Sequence, residues 1–221
     1  CTSQSGHPTP ALEIPSNKTG LTLKGYGGDR VYVYARAECG DSYYHNSVLH
    51  VAAENVKVEN FRFRNTAYNY YYNSGVRISG DDATLDDVGV ELSTYLYSDS
   101  ITITGTSGFT IRDSYWHATS YSSVNAGLYG TDVSDVTFEG SNQMVSYGDT
   151  GIYLQGNGTQ VIGGTFELSS GFQNYFYFES VTVTGATFNG YGGLTIVDAE
   201  NIDVTGNTYN MTSGTALTFQ N

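Results

Sequence analysis

Beyond Arg112 this chain has no lysine and no arginine. All nine basic residues (Lys18, Lys24, Arg30, Arg36, Lys57, Arg62, Arg64, Arg77, Arg112) stand in the first 112 positions beside twelve acids, while ten acids run from Asp113 to Asp203 unopposed. The net charge of -13 is therefore concentrated in the second half. Nucleic acid is excluded as a partner, because binding it requires basic groups that displace counterions. Polyanionic sugars would be repelled by the acidic half unless a divalent cation stood between. Helix formers are also scarce. With 27 glycines, 20 tyrosines and only three prolines in a chain dense in Ser, Thr and Asn, strand is the expected structure. No run of about 18 apolar residues exists, so no transmembrane segment is expected. No basic region leading into an apolar stretch opens the chain, and residue 1 is Cys rather than Met. The expectation is a mature form whose signal has been removed.

Cysteine is limited to Cys1 and Cys39. Three arrangements suit them: an intramolecular disulfide, an intersubunit disulfide, or an acylated N-terminal Cys1. Each implies an oxidising, extracytoplasmic setting, extracellular or at the cell surface.

What the chain has in quantity is a repeated phrase. Residues 1–12 are a polar, proline-punctuated lead-in, and 13–221 are expected to form one domain. Inward strand starts fall at Leu21, Val48, Val76, Ile101, Leu128, Ile152, Tyr175 or Phe176, Leu194, and Ala216 or Leu217, roughly 19 to 28 residues apart. A second strand follows in each repeat, at Val56, Ala83, Phe109, Val136, Val161, Val181 and Ile202. Counting from that residue, positions +2, +5 and +7 point inward: Leu85/Val88/Val90, Ile111/Ser114/Trp116, Phe138/Ser141/Gln143, Gly163/Phe166/Leu168, Val183/Ala186/Phe188. Between them the +4 residue is Asn60, Asp87, Asp113, Gly140, Thr165, Gly185 or Gly206, mostly types that tolerate a left-handed backbone. One such unit cannot bury its apolar face alone. Stacked copies bury it in a continuous column and pair each strand with its counterparts above and below, about 4.8 Å apart. The expected fold is all-β, a single right-handed parallel β-helix of about seven to eight rungs, with no evident capping helix.

Three stretches, Gly20-Leu-Thr-Leu-Lys-Gly-Tyr-Gly-Gly-Asp-Arg, Asn55-Val-Lys-Val-Glu-Asn-Phe-Arg-Phe-Arg-Asn and Gly75-Val-Arg-Ile-Ser-Gly, carry a family likeness. The chain resembles the right-handed parallel β-helix repeats of the pectin-lyase-like fold, especially the NosD-type and surface-protein repeats, over about 200 residues. That resemblance implies the fold and leaves the function open, since lyases, hydrolases, adhesins and structural fibres share it.

Candidate chemistry is thin. Asp81 and Asp82, with Arg77 nearby, are the weak catalytic alternative, on the pattern of paired carboxylates acting as general acid and base. The companion motifs of the polygalacturonases (Asn-Thr-Asp, Gly-His-Gly, Arg-x-Lys) are absent, and solvated corners or a calcium site explain the acids as well. Arg112, at +3 between Asp86 and Glu139 with Glu59 further out, is expected to join a structural charge ladder. No cofactor is expected; calcium is the one ion these acids suit. His7, His45, His50 and His117 lack metal-ligand spacing. Tyrosines crowd one side, and Tyr70, Tyr71 and Tyr72 are candidates for a protein interface or a sugar-stacking platform. Asn17, Asn157 and Asn210 head sequons for glycosylation. The chain stops in mid-rung at Asn221, and Leu21, Leu217 and Phe219 lie near the ends. Uncovered strand edges recruit other strands. The expected function is thus a non-catalytic structural protein that assembles head to tail with copies of itself into a filament, fibre or sheath. The alternatives are a carbohydrate-active or carbohydrate-binding β-helix facing cell-surface glycans, or a surface adhesin.

Overall fold

A computed structural model describes residues 10–26, 31–35, 47–65, 74–93, 99–118, 126–147, 150–168 and 174–221. Every regular element among them is a strand, and every strand pairing is parallel. The chain is a parallel β-helix.

Strands succeed one another coil by coil. The first coil is β1 (Leu12–Ile14), β2 (Thr22–Lys24) and β3 (Val31–Ala35). Next come β4 (Ser47–Val51), β5 (Lys57–Glu59) and β6 (Phe61–Asn65), then β7 (Ser74–Ile78), β8 (Thr84–Asp86) and β9 (Gly89–Leu92), then β10 (Asp99–Thr104), β11 (Thr110–Arg112) and β12 (Tyr115–Ala118). In the next two coils one long strand fills the first two positions: β13 (Ala126–Glu139) with β14 (Gln143–Ser146), and β15 (Thr150–Ile162) with β16 (Thr165–Leu168). The pattern returns to three with β17 (Asn174–Phe178), β18 (Ser180–Thr184) and β19 (Thr187–Gly190), then β20 (Leu194–Val197), β21 (Asn201–Thr205) and β22 (Thr208–Met211). Last comes β23 (Leu217–Gln220), stacked on β20.

Alternation of side chains sends every second residue into the column between the sheets. Val58, Leu85, Ile111, Phe138, Val161 and Val183 form one buried row, and Phe63, Val90, Trp116, Met144, Phe166 and Phe188 another. Trp116 packs against Phe138 and Phe166, with ring centroids 6.1 and 6.3 Å away, and Phe166 stacks on Phe188 at 5.4 Å. Each buried side chain of this size contributes about 1.5–3 kcal/mol.

Corners are made by left-handed residues. One column of them is Asn55, Asp82, Gly108, Asp135 and Gly158; the other is Asn60, Asp87, Asp113, Gly140, Gly163, Gly185 and Gly206, all at positive φ. Asp87 and Asp113 are there because a short polar side chain tolerates this backbone and binds a neighbouring coil. The Asp113 carboxylate accepts the N–H of Ser141 at 2.8 Å.

Register departs from the sequence expectation in several places. In the first-strand column Leu49, rather than Val48, stands beside Val76, and Asn174, rather than Tyr175 or Phe176, stands beside Leu194. Val161 pairs with Phe138 and Val183, so the second strand of that coil starts at Thr159, a polar residue buried in a core column. Gly163 (φ 77°), rather than Thr165, is consequently the corner residue, and Phe166 moves to the +7 row. In the preceding coil Ser141 is an extra residue, so Asn142 and Met144 point inward and Gln143 is exposed. Asn142 fits the enlarged corner by spanning it: its amide donates to Ile111 O (3.0 Å) and Glu139 O (2.9 Å) and accepts from Ser114 N (3.0 Å). Leu21 belongs to the second-strand column with Val56, because Lys57 N–H donates to its carbonyl. The first strand of its coil is Leu12–Ile14, which pairs with Leu49–Val51.

Candidate functional site

The aspartates of the catalytic alternative have structural tasks. Asp82 is a left-handed corner residue (φ 53°) whose carboxylate fills the space beneath Gly108. Asp81 accepts the N–H of Ser107 at 2.8 Å. Arg77 stands on the outer face of β7 between His50 and Thr102, and no ion pair among the described residues joins it to either aspartate. Among the described residues no group of three or more His, Cys, Asp or Glu is placed to hold a metal ion.

The charge ladder forms as expected. Lys24 pairs with Glu59 (2.6 Å), Lys57 with Glu59 (3.1 Å) and Asp86 (2.7 Å), and Arg112 with Asp86 (3.5 Å) and Glu139 (3.2 Å). Hydrogen bonding to Glu59 raises the Lys24 ammonium, and Lys24 and Lys57 in turn lower the Glu59 carboxyl. In the same coil as Lys57 and Glu59, on β6, Arg62 is buried: its guanidinium donates to Phe61 O, Asp87 O and the Asp87 carboxylate.

Two histidines are held toward the neutral form by burial. His50 contacts Ser79 (2.9 Å), with Arg77 adding to the downward shift and Glu13 opposing it. His117 packs on Tyr147 at 5.5 Å, with Glu91 and Glu167 opposing the effect of burial. Asp99 keeps part of its surface exposed, yet burial pushes its carboxyl up to about 7 while the N–H it accepts from Ala126 (3.0 Å) pulls the other way.

Tyr129, Tyr153 and Tyr177 form an outward tyrosine row. Tyr129 and Tyr153 are register partners with rings stacked at 5.2 Å, and Tyr177 follows at 5.3 Å. Sequence reading counted Tyr177 on the aromatic side and passed over Tyr129 and Tyr153. The available signal was the middle residue of Leu128-Tyr-Gly and Ile152-Tyr-Leu, which alternation forces outward. Of the expected interface residues, Tyr70, Tyr71 and Tyr72 lie outside the described residues, as do Cys1 and Cys39. The three sequon asparagines, Asn17, Asn157 and Asn210, are exposed. Asn210 donates to Asn189 on the neighbouring coil at 2.9 Å.

The two ends of the stack present apolar residues. Leu21 on the first coil is 41% exposed, and at the other end Ile202 is 42% and Phe219 54% exposed, with Leu217 half-buried. Leu21 and Ile202 occupy the same core column at its opposite ends, and Tyr26, Tyr32 and Tyr34 are exposed around the first coil. Among the described residues β1, β2 and β3 pair only with β4, β5 and β6, and β21, β22 and β23 only with β18, β19 and β20. No described helix is long and apolar enough to cross a membrane.

No protein-family model matches the chain, and no curated protein does. Among solved structures it is similar to the Streptococcus pneumoniae surface protein and adhesin PfbA, at 10% identity and a TM-score of 0.30, over 97% of this chain and 83% of that one. It is also similar to the Dettilon tailspike protein (gp208), at 9% identity and a TM-score of 0.24, over 94% of this chain and 61% of that one. Likenesses of this size carry no argument, and the assignment to the parallel β-helix fold rests on the strand pairing itself.

Proposed function

We propose that this β-helix is a non-catalytic structural subunit, extracellular or on a cell surface, that associates end to end with copies of itself. The observation that carries the reading is the pair of apolar ends: one core column runs from Leu21 to Ile202 and is exposed at both extremes. Stacking a second copy on the last coil continues the column and pairs edges that otherwise face water. Charge favours a head-to-tail contact. Lys18 and Lys24 lie on the first coil, while Asp198, Glu200 and Asp203 lie on the last, beyond the final arginine. Such a contact is heterologous and propagates. Sedimentation velocity over a range of concentrations tests it: a series of oligomers is expected, and Phe219→Asp or Ile202→Asp is expected to return the sample to monomer.

A second reading is favoured by one observation, the tyrosine row with Arg77 two coils away on the same face. Aromatic rings and a cation on a flat face suit a glycan. Binding of neutral and acidic polysaccharides, lost in Tyr129→Ala, would support it, and equal binding by that variant would remove it.

A further inference from the structure

In the middle of the stack, three successive coils each send a tyrosine out of the same sheet. Alternation turns Tyr129 outward between the buried Leu128 and Gly130, Tyr153 between Ile152 and Leu154, and Tyr177 between Phe176 and Phe178. Tyr129 and Tyr153 are direct register partners on neighbouring strands, which places their Cα atoms about 4.8 Å apart, and their rings lie 5.2 Å apart at an angle of 13°. Tyr177 is reached on the diagonal. The partner of Tyr153 is Tyr175 and that of Tyr177 is Gln155, and the rings of Tyr153 and Tyr177 meet at 5.3 Å and 43°. None of the three fills the core, which is built here from Leu128, Ile152, Leu154 and Phe176.

We propose that Tyr129 and Tyr153 are an oxidative cross-linking site, at which a one-electron oxidant of the peroxidase class, supplied with hydrogen peroxide, joins the two rings as dityrosine and fastens one coil to the next. Each phenol gives one electron to the oxidant and its hydroxyl proton to water. The two ring carbons ortho to the hydroxyls then form a C–C bond, and the hydrogens they carried pass through water to the two oxygens, which restores both phenols. One peroxide takes up the two electrons and two protons and becomes two waters. The geometry suits this step. Register holds the rings side by side, and the ring torsion of tyrosine is soft, so turning each ring about its Cβ–Cγ bond brings the ortho edges together while the strands stay paired. Tyr129 is 37% exposed and open to the oxidant, with Tyr153 half-buried beside it. Tyr177, at 5.3 Å from Tyr153, is close enough to pass a radical to the pair. A link between 129 and 153 closes one full turn of the helix, whereas Tyr32 and Tyr34, stacked at 5.8 Å, lie on a single strand and would fasten nothing. Joining residues distant in sequence stabilises a fold by constraining its unfolded chain, as a disulfide does. The link lies within one chain and needs no contact between copies.

To test the site, the dilute full chain is treated with a peroxidase and limiting hydrogen peroxide, and single chains are recovered under denaturing conditions. With no lysine or arginine beyond Arg112, the digest is made at Asp and Glu, which parts Tyr129 from Tyr153 at Asp132, Asp135, Glu139 and Asp149. Mass spectrometry is expected to find a linked pair of peptides joined through 129 and 153, lighter than their sum by two hydrogens and several-fold more abundant than any other tyrosine pair. Tyr129→Phe and Tyr153→Phe keep the ring and lack the hydroxyl that the oxidation requires, so each is expected to lose this product, while Tyr177→Phe keeps it. The linked single chain, refolded, is expected to unfold at a higher urea concentration than the untreated one. Links chiefly at other tyrosines, links only between chains, or no dityrosine at all would overturn the site. An unchanged urea midpoint in the linked chain would overturn its fastening of the coils.

Discussion

Arg62 reaches across Gly89 to lie against the ring of Tyr115, its guanidinium carbon 4.9 Å from the ring centroid, although the two residues sit two coils apart. The absent side chain at Gly89 is what lets them meet. Arg62 is thereby buried as a cation, with a carboxylate and two carbonyls as acceptors, and the Tyr115 hydroxyl is anchored on Glu91 at 2.9 Å. Burial, and then that hydrogen bond, push the Tyr115 phenol up to about 12. A methyl group at position 89 would land on the Arg62 chain and the Tyr115 ring. Gly89→Ala is expected to destabilise the fold by about 1–3 kcal/mol, as overpacking does, measured as the shift of the urea unfolding midpoint.

Asn142 tests the enlarged corner. Its amide serves two carbonyls and one N–H, and the side chain is buried. Removing it strands those groups, so Asn142→Ala is expected to cost on the order of 2–4 kcal/mol, whereas Gln143→Ala, on the exposed neighbour, is expected to lie within about 0.5 kcal/mol of the parent. Equal effects at the two positions would return the register to the one expected from sequence.

The charge ladder should matter little. Arg112 is two-fifths exposed and its partners Asp86 and Glu139 are partly exposed, so Arg112→Gln is expected to cost less than about 1 kcal/mol. Unfolding followed with and without added salt checks this, since an exposed ladder is screened and a functional buried pair would not be.

Much of this was legible in the sequence, for identifiable physical reasons. Left-handed corners announce themselves through Asn, Asp and Gly at a fixed place in the repeat, so Asn60, Asp87, Asp113, Gly140, Gly185 and Gly206 were found from spacing and type together. Arg112 fell between Asp86 and Glu139 because charges at one register position stack. Thr159 was misread because a hydroxyl occupied a core place and the apolar Val161 two residues on looked like the strand start. Ser141 was missed because period-two counting cannot detect one inserted residue. Leu12–Ile14 was hidden in a short strand beside prolines.

Stability should respond to pH through Asp99 and His50 in opposite senses. The Asp99 carboxyl titrates at about 7 in the fold and near 4 when unfolded. Its contribution is present below about pH 4, is lost as pH rises to about 7, and stays lost above. Asp99→Asn is therefore expected to raise the unfolding midpoint most at about pH 8 and to leave it nearly unchanged at about pH 4. His50 is lowered from 6.5 in the fold. Its contribution is present above 6.5 and is lost as pH falls through the lowered value. His50→Gln should flatten that acid limb, and thermal unfolding across the range checks both.

Negative-stain microscopy of the purified chain at moderate concentration tests the central claim most directly. The account predicts rods of uniform width whose lengths are multiples of one subunit, and their disappearance in Phe219→Asp. Discrete single particles at every concentration, unchanged by salt or calcium, would contradict it.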